Sequence, residues 1–464
     1  MFSVQYEEQV YDAVMTWVLI DSCTRREHLH SLFKEIQWPL IRTPKYYSDT
    51  INDPFVMEDK RCARIMEKAE EYFNMSYEEK INYWKENEKP SRWPKLLAAL
   101  SYAEKLIECY DFEEENSFII TEKPGYVFGS SMCCLHGKLY TIGGVQSKSV
   151  DQYDLEKDEW KDFFPSLRHC RVAHGVTTYG NQIFVTGGSA KANANFGPGL
   201  YEMEMIELDE NSKILHDWKV AGTMKEGRSF LGSAAVNGKV YSIGGCLSEE
   251  FSTTEVWNPE TGKFSEASKS LSKRDSQGQA VVNGEIYSVG GYDNLSNKYL
   301  NSVEKYTPST DSWSTIPPMN IPRRSPGVVT YKDRIYVVGG MGVDSDLSTI
   351  EVYNPTTKEW KMLNYEMKEV NGWCTVCLVD KPVRMVSEPR IYAKYGKDRG
   401  FCNLIATGGL DLESLDSDDI YSRRESIASS SGYGDTPTEK VNIDWKATEN
   451  ARTEQRMKHR KELQ

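Results

Sequence analysis

The sequence has no run of about 18 apolar residues, so no transmembrane helix is expected. It has no basic n-region before an apolar core: the start, MFSVQYEEQVYD, carries two glutamates and does not read as a secretory signal. Positive charge is in short supply. Lysine and arginine number 56 against 69 aspartate and glutamate, a formal net charge of −13. That balance repels phosphate, so nucleic acid and anionic membrane are not expected as partners. Histidine is scarce at 7, and none stands in metal-ligand spacing with cysteine. Ten cysteines in 464 residues are too few for a disulfide framework, which points to a reduced, cytoplasmic setting. Cys374-Thr375-Val376-Cys377 has no second CxxC and lies in an expected strand, where residues three apart face opposite sides. There is no glycine-rich loop entering a helix and no G-x-S-x-G elbow. The reading is of a protein that is not an enzyme and holds neither cofactor nor metal.

What the sequence does have is a repeat. Leu139-YTIGG, Ile183-FVTGG, Val240-YSIGG, Ile286-YSVGG and Ile335-YVVGG are apolar strands ending in glycine pairs. Three further features recur in phase. A turn phrase follows each doublet (Tyr153-Asp154, Leu208-Asp209, Trp257-Asn258, Tyr306-Thr307, Tyr353-Asn354). A large aromatic comes next, at Trp160, Trp218, Phe264, Trp313 and Trp360. A basic residue then stands four before a glycine: Arg171/Gly175, Arg228/Gly232, Arg274/Gly278 and Arg323/Gly327. The second glycines are spaced by 44, 57, 46 and 49 residues, and that period with strand-and-turn chemistry predicts a β-propeller, one four-stranded sheet per repeat. The glycines suit crowding near the axis, and the aromatics fill the wedge between sheets.

This combination resembles the kelch repeat. A degenerate copy over residues 95–124, with Leu100-Ser101 where the glycine pair belongs, gives a sixth blade. The segment 373–379 then reads as a strand that pairs back onto blade 1 and closes the ring. Leu404-IATGG is the rival start of a seventh blade. Residues 1–92 resemble the BACK domain of kelch-like proteins, through Val4-QYEEQVYDAVMTWV, Arg25-REHLHSLFKEIQWPLI and Cys62-ARIMEKAEEYF. Val4, Val10, Val14, Trp17 and Val18 are read as one apolar helix face, and Pro39, Pro44 and Pro54 as loop punctuation. The expected architecture is therefore α plus all-β: a helical BACK-like domain over 1–92, a six-bladed propeller over 93–382 and a disordered tail over 383–464. The family order is BTB, BACK, kelch, and Met1 falls within the BACK segment. That departure is read either as truncation or as a chain with a different role.

The resemblance implies a protein-interaction module, the substrate-recognition part of a cullin-3 ubiquitin ligase pathway. Its alternatives are an actin-binding scaffold and a competitor of full-length kelch-like adaptors. Cullin-3 itself is expected as a partner only where the BTB region is present. The basic residues Arg171, Arg228, Arg274 and Arg323 are expected to make structural pairs between blades. The resemblance puts partner contacts just after them, at Tyr126, Val172, Ser229, Asp275, Arg324 and Glu369. One position further on come Phe230, Ser276 and Ser325, and the loops after the doublets add Tyr292 and Met341. The long segment Ser189-AKANANFGPG borders that site. In the tail, Arg423-Arg424-Glu425-Ser426 resembles a basophilic kinase site, with Ser426 as the phosphoacceptor.

Overall fold

A computed structural model describes residues 6–387 apart from short breaks at 88, 91, 102–104, 126–127, 162–163, 191–198, 247–250 and 370–371. Val4, Tyr126, Leu404, Ser426 and the centre of the 189–199 loop lie outside the described residues, as does the part from 388 onward of the tail expected to be disordered.

Six four-stranded antiparallel sheets form the blades. Blade 1 takes its inner strand, Cys374–Asp380, from the far end of the chain and the other three from Lys95–Ser101, Leu106–Asp111 and Asn116–Glu122. The pairing Lys95↔Asp380 through Ser101↔Cys374 closes the ring. Blades 2 to 6 are consecutive, with inner strands Ser131–Leu135, Gly175–Tyr179, Gly232–Val236, Gly278–Val282 and Gly327–Tyr331.

Antiparallel order gives every blade two ends. Linkers between blades and the loops between second and third strands share one, here the linker end. The tight turns within the first and last strand pairs share the other, the turn end. At the turn end an Asp or Asn caps its own loop: Asp154 Oδ1 accepts from Glu156 N at 3.1 Å and Asn258 Oδ1 from Glu260 N at 2.9 Å. The fourth-strand aromatics pack on third-strand partners, with Tyr153–Trp160 and Tyr353–Trp360 ring centroids 5.0 Å apart. Their indole N–H groups reach back to the preceding blade or linker: Trp160 to Thr121 Oγ1, Trp218 to Pro165 O, Trp313 to Ser268 O and Trp360 to Pro317 O. In blade 4, which has Phe264 there, Trp257 makes the equivalent bond to Ala221 O at 3.1 Å.

The N-terminal module is built from helices including Glu7–Ile20, Pro44–Ile51, Lys60–Asn74 and Tyr77–Glu86. Its core joins Val14, Met15 and Val18 to Leu29, Phe33, Trp38 and Met66. Two expectations change here. Trp17 is 41% exposed rather than on the buried face, because Met15 takes the inward position and the indole lies 4.6 Å under the Arg25 guanidinium. Pro44 and Pro54 open helices instead of marking loops, since the first helical position needs no N–H. Past the closing strand, where a tail was expected from residue 383, the helix Val383–Ser387 buries Val383, Met385 and Val386; Val383 and Val386 lie beside Leu40 and Trp93.

The module docks on the turn ends of blades 1 and 2 through charge. Arg42 pairs with Glu113 and Glu114, and Lys89 with Glu156 at 3.2 Å. Within blade 1, beneath this contact, Lys381 is almost fully buried, donates to the equally buried Asp111 at 2.6 Å and lies 3.6 Å from Glu113. Removing one member of such a pair strands the other without water or counter-charge. Lys381→Ala is expected to lower unfolding free energy by about 3 kcal/mol, read as the urea midpoint, with Lys85→Ala on the exposed helix surface changing it little.

Candidate functional site: the linker end of the propeller

Each regular blade is organised around one buried ion pair. In blade 5 the Arg274 side chain is fully buried. It donates to Glu304 Oε1 at 2.5 Å and to the carbonyls of Gly290 and Ser302 at 3.0 and 3.1 Å. Arg171–Glu204, Arg228–Glu255 and Arg323–Glu351 repeat it at 2.7, 2.7 and 3.1 Å. The second carboxylate oxygen accepts backbone N–H groups from the incoming linker, such as Leu271 N at 2.9 Å and Lys225 N at 2.7 Å. Burial pushes each guanidinium down and the facing glutamate pulls it back up. The side-chain pairs therefore lie within one blade, not between blades as expected. The link between blades is made by the arginine backbone instead: Gly188 N donates to Arg228 O, Gly245 N to Arg274 O and Gly291 N to Arg323 O. This explains the glycine doublet. A Cβ on Gly244, which has φ +58°, would sit 2.7 Å from Arg274 O.

Blades 1 and 2, which lack the arginine, keep the acid and change its partner. Blade 2 has Asp151, held by buried Lys123 at 2.9 Å. Blade 1 has Glu108, bonded by Ser117 Oγ and by Lys368 N and Glu369 N at 3.0 and 2.9 Å.

The first residue after each arginine makes an isolated bridge with the residue after the doublet: Val172↔Ser189, Ser229↔Cys246, Asp275↔Tyr292 and Arg324↔Met341. The second adopts a left-handed conformation, at Ala173, Phe230, Ser276 and Ser325. A belt of backbone bonds runs through these residues, Phe230 N to Ala173 O, Ser276 N to Phe230 O, Ser325 N to Ser276 O and Cys374 N to Ser325 O. The bond of Val145 N to Phe128 O puts Phe128 in the first position of blade 2. Cys374 and the bond of Gly340 N to Gly372 O put Trp373 there in blade 1. Tyr126 and Glu369 were assigned to that position by sequence; it belongs to Phe128 and Trp373, because neither blade has the arginine that sets the register.

The structure brings the remaining predicted residues to the axis and buries most of them. Val172, Ser229, Phe230, Asp275, Ser276, Tyr292, Arg324 and Ser325 are all buried; Met341 and Glu369 are half-buried. Trp373 lies 5.5 Å from Phe230 and 5.7 Å from Phe128. Blades 1 and 4 stand opposite in the ring, so this aromatic contact crosses the axis. On the other side Arg324 lies 4.4 Å over Tyr292 and 3.5 Å from Asp275, which also accepts from Asn294 Nδ2 at 2.8 Å. What stands out toward solvent is farther from the axis: Leu271, Leu295 and Val343, at 58%, 69% and 67% exposure. Sequence reasoning missed these three. Their signal was an aliphatic residue between polar ones in a linker or loop.

No group of three or more His, Cys, Asp or Glu suited to a metal ion occurs among the described residues. Burial pushes the Cys374 thiol up to about 12 and Cys377 well above its ordinary range. No helix among the described residues is long and apolar enough to cross a membrane.

With this geometry in view, comparison with known proteins finds three family models. A kelch-repeats domain described as KLHDC2/KLHL20/DRC7 matches residues 129–322, and the kelch motif matches 322–365. The chain is a kelch-repeat protein of the kelch-like kind. The BTB And C-terminal Kelch model, BACK, matches residues 1–51. Among the relatives, kelch-like protein 7 of Rattus norvegicus is 25% identical over 375 residues, 78% of this chain and 53% of that protein. Kelch repeat and BTB domain-containing protein 1 of camelpox virus (strain CMS) is 25% identical over 268 residues, 56% and 46%. Kelch-like protein 25 of Xenopus tropicalis is 21% identical over 372 residues, 78% and 62%. The matches thus span about half the length of these relatives. Kelch-like relatives and the propeller support a protein-interaction module.

His174 tests the packing under this kelch face. Burial, with the Arg171 charge beside it, lowers its pKa from 6.5 to about 3. The unfolded chain therefore takes up a proton that the folded one refuses between those values, and His174 costs stability as pH falls below 6.5. Blade 5 has Gln277 in the matching place, three after its arginine. His174→Gln is expected to flatten the acid limb of stability between pH 6.5 and 3, measured by urea unfolding across that range.

Proposed function

We propose that this chain is a non-catalytic recognition module that holds a protein partner on the linker end of its propeller. We propose also that it serves a cullin-3 ubiquitin-ligase pathway as the substrate-binding part. The observation that carries the first statement is positional. The helical module rests on the turn ends of blades 1 and 2, away from the linker end and its loops. That end combines a backbone fixed by buried ion pairs with side chains that project from it, an arrangement suited to binding without reorganisation. The pathway rests on kelch-like kinship alone.

Cross-linking of the full chain to its partners in cells, followed by mass spectrometry, tests the position. Cross-links are expected at linker-end lysines such as Lys148, Lys269 and Lys298; a distribution centred on Lys239, Lys263 and Lys358 of the turn end overturns it. Recovery of cullin-3 with the native protein tests the pathway, and its consistent absence removes that assignment.

A further inference from the structure

We infer that the segment received at the linker end is an acidic peptide carrying an aliphatic anchor, an inference that rests on the linker end being the recognition surface. The chain as a whole is acidic, but its charge is unevenly placed. On the linker into blade 5, Lys269, Leu271 and Lys273 alternate and are exposed. Their backbone is pinned: Leu271 N donates to buried Glu304, and Ser270 N to Ser252 O at 2.8 Å. The loop of the same blade ends in a hairpin, Tyr292–Asp293 paired with Lys298–Tyr299, with Leu295 at its tip and Lys298 exposed beside it. The two leucines stand clear of the core on a ground of lysine.

Among the described residues near this patch, three acids are engaged locally. Asp293 accepts from Leu295 N, Ser296 N and Ser296 Oγ of its own loop. Glu226 pairs with Arg228 at 3.2 Å, and Glu266 with Lys225. Asp344 and Asp346 of blade 6 are exposed, and the basic patch stops there. The turn ends of blades 1 and 2 have the reverse character, and the molecule itself shows what they select: Glu113, Glu114 and Glu156 receive the cations Arg42 and Lys89. By the same complementarity the blade 5 patch selects carboxylates, with Leu271 and Leu295 as the apolar contact. On blade 5 the exposed apolar groups, Leu271 and Leu295, are aliphatic; the exposed ring at this end, Tyr201 at 45%, belongs to the blade 3 loop and is a single ring, not the row of platforms on which successive bases stack, which favours peptide over single-stranded nucleic acid.

The test is selection of a displayed random-peptide library on the full chain, followed by binding of the synthesised consensus peptide. Two triple variants are compared: K269E/K273E/K298E at the linker end and K239E/K263E/K358E at the turn end, all exposed lysines. The expected consensus has net negative charge and at least one Leu, Ile or Met. Its affinity falls about tenfold or more in the linker-end variant and in Leu271→Ser, changes little in the turn-end variant, and weakens with added salt. A neutral or basic consensus, equal losses in both triple variants, preferential capture of single-stranded RNA, or an empty selection overturns the inference. Cross-linking the selected peptide separates the two levels. A non-acidic peptide that still attaches at the linker end removes only the acidic preference, whereas attachment at the turn end removes the recognition surface as well.

Discussion

The guanidinium–carboxylate pair buried in each regular blade is the constraint from which the rest of the propeller follows. A charge taken out of water is tolerable only beside a counter-ion and with most of its donors bonded. Arg274 bonds both terminal nitrogens, to one acid, two carbonyls and Ser302 Oγ, and leaves only its Nε without a partner; each partner fixes a different piece of chain. Glu304 fixes the third strand, Gly290 O the end of the second, and the linker amides on Glu304 the approach from the previous blade. With the arginine so held, its own carbonyl points at the preceding doublet, and no room is left there for a Cβ. Glycine doublet, arginine and glutamate are thus one device seen at three places in the sequence.

The device also explains where the molecule can vary. A backbone bound at so many points tolerates little insertion at the axis, and the left-handed residues that follow each arginine are committed to the belt between blades. Variation is pushed outward into the loops after the doublets and the outer parts of the linkers. Blades 1 and 2 show how far the pair itself can drift. Lys123 with Asp151 keeps the ion pair with different lengths and buries only the cation, while around Glu108 a hydroxyl and two amides stand in for the cation.

How much of this could be read from residues alone depended on phase. Five doublets in step with aromatics and turn residues defined the blades and the ring closure, because each feature answers a local steric demand that recurs. Where the arginine is missing, phase is lost. Lys368, four before Gly372, imitates the motif, but Gly372 holds the arginine's place, and Trp373 rather than Glu369 follows it. Burial was the harder quantity. Phe230, Asp275 and Tyr292 sit in loop-like sequence, yet they are drawn to the axis by backbone bonds to neighbouring blades that no single repeat records. Trp17 errs the other way, since a cation above its ring stabilises it outside the core.

The contact between blades 1 and 4 across the axis bears on what the linker end can recognise. With Trp373 against both Phe230 and Phe128, aromatic rings meet across the axis at this end. Around them, long-range charge steers the encounter and the choice between partners before any contact forms. Side chains that reach outward from a rigid rim answer both needs, because the backbone beneath them is already ordered and only their own rotamers are lost on binding. The lysines and leucines of blade 5 meet that description, while the buried aspartate and arginine at the axis serve to hold the rim in place.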